Sequence, residues 1–303
     1  MSEKVAPLKP FYLVDASIYL FRAYYSFPDE FADADGNPTN ALNGFAHWLC
    51  QFLEETTASA IAVVFDQSLT ASFRNDLYPA YKANRDPAPE QLKRQFNWAR
   101  DLTAALGIPV LSSPEYEADD LIASVAHRVC RQRYRVVFVT ADKDIAQLLA
   151  ADDILWDHAR SRTFRATQIK SQFGVEPAQI ADFLALAGDA VDNIPGAPGI
   201  GAKTAQRLLE EYRTLDGIYD NLEEIGHMQI RSAKRIQKTL RSCRDTVFMF
   251  RKLTGLAVDA PLPVEPSRLV RGSVNEAELT AVIGNDRVGE HLAIRLRNAG
   301  KCL

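Results

Sequence analysis

Nine carboxylates in five short motifs hold most of the chemistry open to this 303-residue chain: Asp15, Asp66, Glu117, Asp119, Asp120, Asp142, Asp144, Asp189 and Asp192. Acids in this number, gathered within a few ångströms, repel strongly unless cations sit among them. Carboxylates offer only oxygen, which favours Mg²⁺ or Mn²⁺ over Zn²⁺. Softer ligands are scattered: the five histidines show no HxxxH or HxE spacing, and Cys50, Cys130, Cys243 and Cys302 form no CxxC pair. Free cytosolic thiols are the expected state of those cysteines. Two hard divalent ions about 4 Å apart suit hydrolysis of a phosphate ester, because they activate water and neutralise charge on the attacking and leaving oxygens. A cation over such a site would stabilise the transition state further. Lys82 and Arg85, one helical turn apart in Tyr81-Lys82-Ala83-Asn84-Arg85, are the best placed for that.

Three acids follow strand-like runs. Phe11–Val14 precede Asp15, Ile61–Phe65 precede Asp66, and Val136–Thr140 lie just before Asp142. Apolar runs rich in β-branched residues suit central parallel strands, whose carboxyl ends line one crevice of an open α/β sheet. The fold class that follows is α/β, a mostly parallel sheet flanked by helices over roughly residues 11–191. Residues two apart on a helix point about 200° away from each other, so Glu117 is expected at or just before a helix N-terminus. Asp119 and Asp120 then fall in the first turn, where the helix dipole favours acids. Asp189 and Asp192, at i and i+3, are expected on one helical face. The segment 67–95 interrupts the strand–helix rhythm with Arg74, Tyr78, Tyr81, Lys82 and Arg85, and predicts a flap over the site. From Asn193 onward a glycine-punctuated turn, Gly196–Ala205, leads into a helix. Either its N–H groups hold a phosphate, or its carbonyls hold a monovalent cation such as K⁺ that bridges to a nucleic-acid backbone. It lacks P-loop spacing. The expected division is a core at 1–192, a second region at 193–260, and a small helical extension at 261–303 after Pro261, Pro263 and Pro266.

Composition narrows the class. Hydrophobic content of 47% and charged content of 24% are ordinary for a globular enzyme. No run approaches the ~20 apolar residues of a membrane span, and Met1–Pro10 lack a signal core, so a cytoplasmic protein is expected. The formal net charge of −4 becomes +5 once the nine acids are set aside. Between Arg231 and Lys252, eight basic residues face a single acid, Asp245. Arg231, Lys234, Arg235, Lys238 and Arg241 recur at helical spacing, apart from an apolar stripe of Ile236, Leu240, Cys243 and Val247. Such a face is either merely solvated or a surface that tracks phosphates.

Taken in order, Leu13-Val14-Asp15, Val64-Phe65-Asp66, Tyr81–Arg85, Tyr116-Glu117-Ala118-Asp119-Asp120, Thr140-Ala141-Asp142-Lys143-Asp144 and Gly188-Asp189 through Asn193-Ile194-Pro195-Gly196 closely resemble the bacterial 5′→3′ exonuclease and flap endonuclease family. That family includes the N-terminal nuclease domain of DNA polymerase I. The resemblance runs from about residue 11 to 255. It implies a PIN-like core, a helical arch near 67–95, a helix–two-turn–helix element at Gly196–Ala205, and two-metal hydrolysis of DNA 5′ ends and flaps. By the same resemblance Asp15, Asp66, Glu117 and Asp119 serve mainly a first metal. Asp120, Asp142, Asp144, Asp189 and Asp192 serve a second, or its hydration shell. Lys82 and Arg85 lie at the scissile phosphate, Phe21 and Arg22 meet the 5′ end, and Lys203 contacts duplex phosphate. The implied partner is branched DNA, with RNA primers a further candidate, and the expected state is a monomer.

Ala16 and Ala141 depart from the family, where glycine is usual; a left-handed backbone there would cost alanine on the order of 1 kcal/mol. A sequence ending at Leu303 suits a stand-alone nuclease and an excised polymerase domain equally. Two other classes compete. A junction-binding protein without catalysis would not need the full acid set, and an aspartyl-nucleophile phosphatase usually carries a second Asp where Ser17 stands.

Overall fold

The computed structural model describes residues 8–28, 30–67, 72–129 and 132–301. The first residues of the expected flap (68–71), Cys130, Cys302 and most of the N-terminal segment lie outside them. Six strands form one sheet: β1 (Lys9–Asp15), β2 (Ile61–Val64), β3 (Val110–Leu111), β4 (Tyr134–Val139), β5 (Ile154–Asp157) and β6 (Arg162–Phe164). Their order is β3-β2-β1-β4-β5-β6, parallel throughout except for the antiparallel β5–β6 edge. β1 is central, with Val14 opposite Val63 of β2 and Val139 of β4. The chain winds away from β1 in both directions, so Asp15 ends the strand at the switch point where such sheets bind ligands.

Side chains alternate across the sheet and build two apolar layers. Phe11, Leu13, Val64, Val136 and Phe138 enter one layer; Val14, Ile61, Val63, Val137 and Val139 enter the other. The second layer is covered by α1 (Ala16–Ser26), α2 (Asn40–Thr56) and, after the short α3 (Phe73–Leu77), by α4 (Glu90–Ala105). The first layer is covered by α5 (Ala118–Arg128), α6 (Ala166–Phe173), α7 (Ile180–Ala187), α8 (Ala202–Tyr212), α9 (Leu215–Asp220), α10 (Leu222–Ile225), α11 (Ala233–Ser242) and α12 (Arg244–Thr254).

The C-terminal segment does not stand apart as an extension. α13 (Glu276–Ile283) packs on α4 and α14 (Glu290–Lys301) on α2, with Leu279, Leu292 and Leu296 buried in the second layer. On the way, Arg271 N–H donates to the Ser59 carbonyl at 2.8 Å, and Val270 bridges Ala60. The expected helical arch also takes another form: among its described residues Phe73–Leu77 and the start of α4 from Glu90 are helical, and residues 79–84 between them form successive turns. The basic stretch is two helices, broken at Cys243 (φ −113°, ψ 19°), with Ile236, Leu240 and Val247 buried beneath. No helix among the described residues is long and apolar enough to cross a membrane.

Candidate active site

Each acid is placed by the end of an element. Asp15 closes β1 and caps α1: one oxygen accepts the Ser17 N–H at 3.0 Å and the other the Thr140 hydroxyl at 3.0 Å. Asp66, two residues beyond β2, accepts the Ser17 hydroxyl at 2.6 Å and the Ala118 N–H of the α5 N-terminus at 2.9 Å. Glu117 is the N-cap of α5, with Asp119 and Asp120 in its first turn, as the sequence predicts. Past β4, the Asp142 N–H donates to Thr140 and the Asp144 N–H to the Asp142 carboxylate. Asp189 and Asp192 do not share a helix. α7 stops at Gly188 (φ +87°), and reciprocal Asp189–Ile194 backbone bonds close a turn. A Cβ on Gly196 would sit 2.4 Å from the Gly188 nitrogen, so two glycines must meet where this turn closes. Ala16 and Ala141 escape the expected strain, since neither is among the described residues with positive φ.

Eight of the nine acids line one cavity of about 620 Å³: Asp15, Asp66, Glu117, Asp119, Asp142, Asp144, Asp189 and Asp192. The ninth does not. Asp120 is fully buried, and its two oxygens accept the Arg74 guanidinium fork at 2.7 Å each. It also accepts the N–H groups of Glu117 and Ala257. The structure thus replaces the expected metal ligand at Asp120 with a buried ion pair that fixes α5 to α3 and to the chain after α12.

Lys82 and Arg85 both line the cavity, although no helix sets their spacing. Lys82 Nζ donates to Glu117 at 2.9 Å and lies 3.8 Å from Asp192, and Arg85 donates to Asp192 at 2.6 Å. Lys82 has φ +54°, a left-handed backbone that costs an L residue roughly 1–2 kcal/mol. Phe21 is half-buried, rests edge-on against Phe96 and faces the cavity, whereas Arg22 is exposed and outside its lining. Lys203 is exposed in the first turn of α8, and Arg231, Lys234 and Lys238 are exposed on and just before α11. A Cβ on Gly199 would lie 3.6 Å from Arg235, so the glycine turn adjoins the basic helix.

The electrostatics are those of crowded acids. Burial, then the charges of Asp66 and Asp142, push the Asp15 carboxyl up to about 7. Burial and the charges of Asp142, Asp189 and Asp192 push Asp144 up to about 7. Asp119 is raised well above its usual range by burial and by Asp142, Asp15 and Asp66. Burial also lifts Glu117, but the charges of Lys82 and Arg74 outweigh it and hold that carboxyl low.

Residues beyond the expected set complete the site. Ser17 and Thr140 orient Asp15, Asp66 and Asp142. The Tyr81 hydroxyl contacts Glu117 at 3.2 Å and Asp192 at 3.0 Å. Tyr81 sits inside the Tyr81–Arg85 motif and Thr140 ends the β4 run, so both had a signal in the sequence. The pairing of Arg74 with a residue 46 positions away had none.

The donor set fits hard divalent cations. It is oxygen-rich, burial and neighbouring acids push Asp15, Asp119 and Asp144 up, and ligand atoms of Asp144, Asp189 and Asp192 lie within 4.8 Å of one another.

A family model described as "5'-3' exonuclease, N-terminal resolvase-like domain" matches residues 10–174, and one described as "5'-3' exonuclease, C-terminal SAM fold" matches residues 175–277. A 5'-3' exonuclease of Buchnera aphidicola subsp. Baizongia pistaciae is 34% identical over 85% of this chain and 84% of its own length. DNA polymerase I of Rhizobium leguminosarum is 35% identical over 96% of this chain, which spans only 28% of that relative. The bacteriophage T5 D15 flap endonuclease, solved as a complex with DNA and metal ions, has the same fold. Its TM-score is 0.66 at 18% identity, covering 97% of this chain and all of the other. A resolvase-like parallel sheet followed by a helical SAM-type region, matched by both models in chain order, makes this chain a member of the 5'-3' exonuclease family.

Proposed function

We propose that this chain hydrolyses phosphodiester bonds at 5′ ends and 5′ flaps of branched DNA, with two divalent cations, Mg²⁺ in the cell and Mn²⁺ as a substitute. The observation that carries this reading is one cavity in which eight carboxylates face Lys82 and Arg85. Asp15, Asp66, Glu117 and Asp119 would hold one cation, and Asp142, Asp144, Asp189 and Asp192 the other. Cations there would supply an activated water and neutralise the oxygens of the breaking ester.

The chain's own groups do the rest. Ser17 and Thr140 fix the carboxylates before substrate arrives, so little reorganisation is left for the reaction. Lys82 and Arg85 stabilise charge on the scissile phosphate once they leave Glu117 and Asp192 for it. The ring of Phe21 offers a stacking face at the 5′ end, with Arg22 beside it on the exposed face of α1. Lys203, Arg231, Lys234 and Lys238 hold duplex phosphates without reading sequence, and the Gly196–Ala205 turn holds one more, with K⁺ on its carbonyls. RNA 5′ ends are a second substrate, the working unit is a monomer, and its place is the cytoplasm.

A labelled 5′-flap duplex tests the reading. Short 5′ fragments released near the junction in Mg²⁺, and none in EDTA, are expected. Tight binding with no cleavage in Mg²⁺ or Mn²⁺ would favour a junction-binding protein instead.

A further inference from the structure

The turns bearing Lys82 and Arg85 are fastened to the turn bearing Asp189 and Asp192 by two kinds of contact. One kind uses charge: Tyr81, Lys82 and Arg85 all reach the Asp192 carboxylate. The other kind does not. The Lys82 N–H donates to the Asp192 carbonyl at 3.0 Å, Asn84 Nδ2 to the Ala190 carbonyl at 3.0 Å, and Asn193 Nδ2 to the Ala80 carbonyl at 2.7 Å. Both segments carry a left-handed residue at the junction, Lys82 at φ +54° and Asn193 at φ +59°, so local preference alone does not set their shape.

The two kinds of contact have different fates once substrate arrives. A carboxylate that takes a cation, and a lysine that takes a phosphate, give up their mutual pairing. An amide bonded to a backbone carbonyl keeps its partner. We propose that Asn84 and Asn193 are positioning residues: they clasp the Lys82 backbone to the 189–193 turn, so that the Lys82 ammonium stays over the acid cavity after its own ion pairs are released. The clasp acts on catalysis only through Lys82, and it rests on the nuclease reading above.

The variants that test it are Asn84→Ala, Asn193→Gly (which tolerates the left-handed backbone and removes the amide with the rest of the side chain), Lys82→Ala and Asn84→Ala/Lys82→Ala. With saturating flap DNA and Mg²⁺, each asparagine variant should lose roughly 10- to 100-fold in single-turnover rate, the scale of a misplaced catalytic group. Flap affinity in Ca²⁺ should stay near that of the wild type. The double variant should cut no more slowly than Lys82→Ala, because the clasp works through that side chain. In the metal-free, DNA-free protein, trypsin should cut after Lys82 and Arg85 several times faster in Asn84→Ala than in wild type. A wild-type cleavage rate in Asn84→Ala, a double variant whose losses multiply, or a rate loss matched by an equal affinity loss would each overturn the proposal. If the wild type itself fails to cut DNA, the nuclease reading falls, and unchanged trypsin cleavage would then overturn the clasp independently.

Discussion

Asp119 and Asp120 are neighbours in the chain with different fates, because successive residues on a helix point about 100° apart. Asp119 faces the cavity, where burial and then like charges raise its carboxyl. Asp120 turns inward to Arg74, whose fork satisfies both its oxygens. A buried ion pair of this kind is costly to break from one side, since the remaining charge stays in a low-dielectric interior. Arg74→Met should therefore lose about 3–5 kcal/mol in urea unfolding, with part regained in Arg74→Met/Asp120→Leu. A loss below ~1 kcal/mol would mean that water reaches the site. Asp120→Asn should lower stability and leave Mn²⁺ affinity near wild type, whereas Asp142→Asn should weaken Mn²⁺ binding and leave the fold intact. Equal effects on Mn²⁺ would return Asp120 to the ligand set. The Tyr116–Asp120 motif reads as five residues with one purpose; that one acid serves the fold is visible only once the partner helix is in place.

Element ends were the most legible part of this sequence. Apolar runs announce β1, β2 and β4, so Asp15, Asp66 and Asp142 could be assigned to one crevice, and the ~200° between residues two apart on a helix located Glu117 at a helix N-terminus. Two elements misled. The i, i+3 spacing of Asp189 and Asp192 suggests a helix, but Gly188 ends α7 and the Asp189–Ile194 bridge folds the acids into a turn instead. The flap was read from composition, yet its form depends on bonds to Ala190 and Asp192 more than a hundred positions away. At this scale α11 makes the clearest prediction. Its exposed cations, with Arg231 just before it, leave Ile236 and Leu240 as the buried face. Neutralising Arg231, Lys234 and Lys238 to Gln should reduce the slope of log affinity against log salt by about 2–3, since each phosphate left without its cation lowers it by roughly 0.9. An unchanged slope would make this a merely solvated face.

Across the whole molecule, the acid cavity sets fold stability against function. Asp15 and Asp144 have folded-state carboxyls raised to about 7, above their unfolded values. The folded chain therefore binds more protons than the unfolded one between about pH 4 and 7, and stability from these groups is lost as pH rises through that window. Cations reverse the sign by favouring the ionised form. In EDTA, Tm should fall between pH 5 and 7.5, and Mg²⁺ should raise it more at pH 7.5 than at pH 5. A Tm that Mg²⁺ leaves unchanged at pH 7.5 would remove the cations from the account. The layered core bears this cost, and α13 and α14, whose role the sequence did not reveal, seal its second layer because Leu279, Leu292 and Leu296 only become a face once α2 and α4 are present. The most direct test of the central claim is anomalous diffraction from crystals grown in Mn²⁺ with a flap duplex. The account predicts two Mn²⁺ peaks among the eight carboxylates, one of them beside Asp144, Asp189 and Asp192. A cavity holding DNA but no Mn²⁺ would contradict it.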